Sequence, residues 1–149
     1  MIDPFRYLLR VRYGECDAQG IVFNARWGEY IDLAASEYTR QLFGGTDPIA
    51  IDFDCRLVKQ TMEWHASARF DEVLELRVRT LRIGTTSYAT HTEVRRFTDG
   101  AQLAECETIY VSVERNTATK RPIPDRHRAA LEAGAPGLVV DHAAALITR

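Results

Sequence analysis

Residues 13–45, YGECDAQGIVFNARWGEYIDLAASEYTRQLFGG, hold both the longest helix this chain can form and its best chemistry. Trp27, Ile31, Ala34, Tyr38 and Leu42 recur at steps of three and four, the period of an α-helix that buries one face. Tyr30, Leu33, Ala35 and Phe43 widen the stripe, and a helix apolar over so much of its circumference needs other elements wrapped around it. Asn24 is placed to cap its start, and Gly44 and Gly45 to stop it. The run from Gly14 to Gly20 is polar and glycine-bounded, so it reads as a loop, and it carries the carboxylate of Asp17 toward the helix N-terminus.

That position has two readings. The first amides of a helix have no partners inside it, and the aligned peptide dipoles leave roughly half a positive charge there, a place where a developing oxyanion is stabilised. A carboxylate beside it supplies the nucleophile or base for acyl transfer. Loop aspartates ahead of helices also serve as plain caps and turn formers. Position alone leaves both open.

The chain of 149 residues is expected to form one domain, with a core over about residues 5–133 and a tail over 135–149. Cys16, Cys55 and Cys106 are odd in number, far apart and without a CxxC pair, so they signal neither a disulfide framework nor a zinc site. No metal is expected, and a reducing cytoplasm fits best. The N-terminal MIDPFRYLLRVRYG lacks a long apolar core, and no run approaches a membrane span. A formal net charge of −2 gives no global attraction for nucleic acid, so any phosphate must be held locally.

Phe5, Tyr7, Leu9, Val11 and Tyr13 alternate with Arg6, Leu8, Arg10 and Arg12, the period of a strand. Asp47-Pro48 marks a turn, and alternation resumes at Ile51, Phe53, Cys55 and Leu57 in a strand that could run to Phe70. After an acidic corner at Asp71-Glu72, a third strand through Leu74, Leu76 and Val78 ends near Ile83. TTSYATHTEVRRF forms a fourth, Asp99-Gly100 a hairpin turn, and Leu103–Val113 a fifth. Asp125 caps a short helix that stops at Gly134, and GLVVDHAAALITR reads as a further helical turn or two of undecided place. The order of strand, long helix, then four antiparallel strands is α+β, a curled sheet of about five strands along one helix. Its open edges call for a second subunit.

RYGECDAQGIVFNARWGEYIDLA, with the turn ARFDEVLEL and the strand running into NTATKRPIP, resembles the hotdog-fold acyl-CoA thioesterases of the 4-hydroxybenzoyl-CoA thioesterase type. The resemblance covers about residues 5–133. It implies a central helix wrapped by an antiparallel sheet, homodimers or homotetramers with active sites between subunits, and acyl-CoA as substrate with no further cofactor. Asp17 matches the catalytic carboxylate, Gly20 the loop glycine, and Phe23 and Asn24 the helix start whose amides polarise the thioester carbonyl. Asn24 stands where an aromatic or His is common and Trp27 where Tyr is common, and the 67–72 turn lacks the usual Pro and Gly, which bears on substrate identity more than on reaction type.

Glu15 reads as solvated, and Glu29 and Asp32 as an exposed helix face, although a related thioesterase branch keeps its carboxylate in the helix. Trp27 and Phe23 could line an acyl pocket or simply be buried. Lys120 and Arg121 could hold a CoA phosphate across a subunit boundary, or be a solvated charge run, as could Arg95 and Arg96. His65, His91, His127 and His142 all lie outside the loop and long helix, which disfavours a dehydratase or hydratase that needs a histidine there. A non-catalytic acyl-CoA-binding module is the other alternative.

Overall fold

Phe5, Tyr7 and Leu9 alternate inward along strand β1 (Phe5–Arg10), and the computed structural model, which describes residues 2–146, builds the rest of the sheet from that face. After β1 come helix α1 (Trp27–Phe43) and strands β2 (Asp54–Trp64), β3 (Val73–Ile83), β4 (Ser87–Arg96) and β5 (Gln102–Val113). Helix α2 (Asp125–Ala133) and a short strand β6 (Val139–Asp141) follow. The sheet order is β2-β5-β4-β3-β1-β6, antiparallel throughout except for the β1–β6 pair.

The sheet curls along α1 and takes its apolar stripe. Trp27, Tyr30, Ile31, Ala34 and Tyr38 pack against Phe5, Leu74, Leu76, Val94 and Leu103 in one buried cluster. Each large side chain removed from water in this way contributes on the order of 1.5–3 kcal/mol, which is why tertiary packing holds α1 in place. Gly44 ends the helix at φ 76°, a conformation that suits a residue without Cβ.

Three boundaries differ from the sequence expectation. β1 stops at Arg10, and residues 13–15 form a 3-10 turn instead of continuing the strand. β2 begins only at Asp54, because the segment before it is folded into turns, with Asp52 at φ 51°. The tail is a sixth strand, not a helix: Val139, Val140 and Asp141 pair with Arg6, Tyr7 and Leu8, and the turn that follows is held by Asp141, whose carboxylate accepts the N–H groups of Ala143, Ala145 and Leu146. Leu8, Val73 and Ala143 form a small core on the outer side of β1 that this tail covers.

α2 closes the far end of the molecule on a second cluster of Phe53, Tyr88, Ile123 and Leu131. It is preceded by Pro124 and lacks a side-chain cap; Asp125 lies in its first turn, where the helix dipole favours a carboxylate. His127 is buried, donates from Nε2 to the Ile51 carbonyl at 2.8 Å, and stacks on Phe53 at 4.7 Å. Its Nδ1 has no partner among the described residues.

Burial therefore lowers the His127 pKa, helped by the cations Arg126 and Arg121 and opposed by the Ile51 carbonyl and Asp52. As pH falls through about 6.5 the unfolded chain takes up a proton that the native imidazole resists, so this contribution to stability is complete above that value and declines below it. Wild type should lose more melting temperature between pH 7.5 and pH 5.0 than His127→Gln, which cannot titrate. Parallel losses in the two proteins would refute the assignment.

Candidate active site

Residues 15–23 form a small hairpin. Cys16 bridges Val22, the Asp17 N–H donates to the Ile21 carbonyl at 2.9 Å, and the Phe23 N–H donates to the Glu15 carbonyl at 3.0 Å. Its tip is a turn closed by Gly20 N–H to the Asp17 carbonyl, with Gly20 at φ 75°. Asp17 Oδ1 accepts the Gln19 N–H at 2.8 Å, the local bond that makes aspartate a good turn former. Two main-chain bonds tether the hairpin to the segment after β2, Val22 N–H to the Ala68 carbonyl and Phe70 N–H to the Gly20 carbonyl. Asp17 is exposed on this tethered tip.

The helix begins differently from the sequence expectation. Phe23 is extended and its carbonyl accepts the first helical bond, from Arg26, so Asn24 is already the first residue of a 3-10 turn (Asn24–Arg26) that runs into α1. Asn24 is therefore not the cap, and Phe23, which is, makes no side-chain cap bond. Arg26 and Trp27 bond back to Phe23 and Asn24, which leaves the N–H groups of Asn24 and Ala25 with no carbonyl ahead of them in the helix. The Phe23 N–H is already committed to Glu15, so the uncommitted amides at the helix start belong to Asn24 and Ala25.

Glu15 is not solvated. It is 5% exposed, and its Oε1 accepts from the Arg12 main-chain N–H at 2.7 Å and from the Tyr30 hydroxyl at 2.9 Å. Oε2 takes the Arg12 guanidinium through Nε and Nη2, at 3.1 and 2.9 Å. Burial alone would raise its pKa, but the hydrogen bonds from Arg12 and Tyr30 outweigh it and hold the carboxylate ionised, with the pKa below the ordinary value. The i,i+3 spacing of Arg12 and Glu15 is the local signal that could have found this pair, whereas the third partner, Tyr30, is on α1.

The remaining candidates separate. Trp27 is 3% exposed and packs edge-on to Tyr30, so it backs the helix start from the core, whereas Phe23 is 50% exposed beside it. Glu29 is exposed and paired with Arg26, and Asp32 is exposed. Arg96 is paired with Glu72 and Asp99, and Arg95 with Glu93. His142 is hydrogen-bonded to the Tyr7 hydroxyl at 2.9 Å. On the sheet's outer surface the ligand atoms of Glu63, His65 and the half-buried Glu105 lie within 4.8 Å of one another, and exposed acidic groups of this kind are common without an ion.

Lys120 bridges Val113 at the end of β5, and Arg121 pairs with Asp52 and Glu114. The Asp17 hairpin stands at the other end of the same strand, where His65 and Ala66 donate to the Leu103 carbonyl shortly before the Ala68 tether. From Leu103 to Val113 is roughly 33 Å of strand, so within one chain these cations and Asp17 belong to opposite ends of the sheet. The Val113 end also holds a cavity of about 170 Å³ between α1 and β2, β4 and β5, walled by Tyr38, Phe43, Tyr88 and Tyr110, with Asp32 and Cys55.

The family profile described as the thioesterase superfamily matches residues 19–102. An acyl-CoA thioester hydrolase, YbgC, of Escherichia coli is 29% identical over 122 residues, 80% of this chain and 90% of that protein. Among solved structures, a thioesterase superfamily protein from Jannaschia superposes with a TM-score of 0.81 at 19% identity, over 89% of this chain and 94% of that one. A 1,4-dihydroxy-2-naphthoyl-CoA thioesterase from Synechocystis does so at 0.77 and 18% identity, over 85% and 94%. The curled sheet on a long helix is thus the hotdog fold, and this chain belongs to the thioesterase superfamily, a family of thioester hydrolases.

Proposed function

We propose that the protein hydrolyses an acyl-CoA thioester to the free acid and CoA, with Asp17 as nucleophile or general base. The observation that carries this reading is the meeting, on one tethered hairpin and the helix it enters, of an exposed carboxylate with helix-start amides that have no intrahelical partner. As nucleophile, a carboxylate oxygen adds to the thioester carbon, the CoA thiolate leaves, and water cleaves the resulting anhydride. As base, Asp17 takes the proton of a water that adds directly, and the thiolate again leaves. Both routes pass through an oxyanion that the Asn24 and Ala25 amides would bind, with the helix dipole behind them.

Glu15 is saturated and buried, which leaves Asp17 as the carboxylate of this hairpin able to meet substrate. Subunit pairing supplies the rest of the site. β2 is an edge strand of 11 residues without proline and with Leu57 and Val58 exposed, suited to pairing with its own copy in antiparallel sense. Such a dimer sets the partner's Asp17 hairpin near the Asp54 end of β2. There the Tyr-walled cavity would take the acyl group and Lys120 and Arg121 the nucleotide phosphates. A pocket of about 170 Å³ is small for a ligand site and favours a compact or single-ring acyl group over a long chain. Three free cysteines suit a reducing compartment, which supports a cytoplasmic enzyme.

Free-thiol release from aromatic, short, medium and long acyl-CoAs tests this. Turnover concentrated on aromatic or short acyl groups is expected. Tight CoA binding with no thiol release across the whole panel would mean a non-catalytic binding module.

A further inference from the structure

We infer that Glu15 is a positioning residue whose buried carboxylate sets where Asp17 stands against the Asn24 and Ala25 amides. The inference rests on the proposed role of Asp17 and extends it to a residue that never meets substrate.

Main-chain tethers hold the hairpin to the segment after β2, but they do not orient it against α1. Glu15 does. Its Oε1 spans 15 residues to the Tyr30 hydroxyl, one turn into α1, while the same oxygen accepts the Arg12 N–H on the entering chain. Its carbonyl accepts the Phe23 N–H on the returning strand, immediately before the helix. One residue thus binds the entry to the hairpin, its exit and the helix, and Asp17 follows two positions later. Tyr30 is 1% exposed, so its hydroxyl has no freedom to follow a displaced loop.

An apolar residue at 15 facing Phe at 30 would fill this space without placing a charge out of water. Buried ion pairs contribute little net stability compared with such packing, whereas their directional bonds fix geometry. Arg12 forms the lid of the pair, two-pronged on Oε2 with its own side chain mostly in solvent. Reaction at Asp17 depends on sub-ångström placement, so an error in the hairpin angle should appear in kcat before it appears in substrate binding.

The test is a cycle of four proteins, wild type, Glu15→Gln, Asp17→Asn and the double variant, with kcat, KM and melting temperature measured on each, and Tyr30→Phe alongside. Glu15→Gln keeps shape but turns an amide NH2 toward donors, and its kcat should fall about ten- to a hundredfold with KM within about threefold. In the Asp17→Asn background the same change should cost less than about twofold in residual turnover, since the group being positioned is gone. Tyr30→Phe removes one bond and leaves the packing, and should lower kcat roughly three- to tenfold. A folded Glu15→Gln with wild-type kcat, or losses that multiply fully in the double variant, overturns the inference. If Glu15→Gln does not fold, Tyr30→Phe with wild-type kcat overturns it instead. An active Asp17→Asn would defeat the reading of Asp17 itself, a separate result.

Discussion

Asp17→Asn is expected to lower kcat at least about a hundredfold while KM stays within a few fold and the melting temperature barely moves. The structure makes this substitution unusually clean. The asparagine Oδ1 can still accept the Gln19 N–H, so the turn from Asp17 to Gly20 keeps its side-chain bond as well as its main-chain one. The hairpin tethers and the Asn24 and Ala25 amides are untouched, and each such donor is worth on the order of 3–4 kcal/mol to an oxyanion. What disappears is the charge and the capacity to attack or to take a proton. If Asp17 only shaped the turn, activity per folded molecule would be retained together with the stability, because the asparagine keeps the same turn bond. An active Asp17→Asn would redirect the search to Glu29 and Asp32, the exposed carboxylates of α1.

The long helix and the central strands were legible because their cause is local: apolar spacing of three and four in α1, alternation in β1 and β3, Asp99-Gly100 between β4 and β5. What stayed illegible depends on partners distant in sequence. β6 has only three residues and exists because β1, some 130 positions earlier, offers an edge. A trace of it was present in Leu8, an apolar residue in the register of Arg6 and Arg10, which the tail covers. Glu15 carries the signature of a surface residue; its i,i+3 pair with Arg12 is local, but its bond to Tyr30 on α1 is not. Asn24 has the chemistry of a cap, yet the extended Phe23 occupies that place. The distance between Lys120 and Asp17 follows from strand order, which composition does not encode.

That distance yields the second large effect, complementation between inactive subunits. If β2 pairs antiparallel with its own copy, each active site joins Asp17 of one subunit to Lys120 and Arg121 of the other. Lys120→Glu is the partner variant to choose, because Arg121 already serves Asp52 and Glu114, while Lys120 is exposed. A lost hydrogen bond to a charged group is worth about 1.5–3 kcal/mol, so Lys120→Glu should raise KM roughly ten- to a hundredfold. Asp17→Asn alone should be nearly inert. Mixed and allowed to exchange, the two form heterodimers in which one site carries both substitutions and the other carries neither. With free exchange half of the dimers are mixed, so about a quarter of all sites should regain wild-type kcat and KM. Were Asp17 and Lys120 of the same chain to act together, every site in the mixture would keep one defect and no wild-type activity would return. Measured at low acyl-CoA, where Lys120→Glu contributes little, recovery to about a quarter of the wild-type rate supports the shared site, and a rate no higher than the mean of the two parents rules it out.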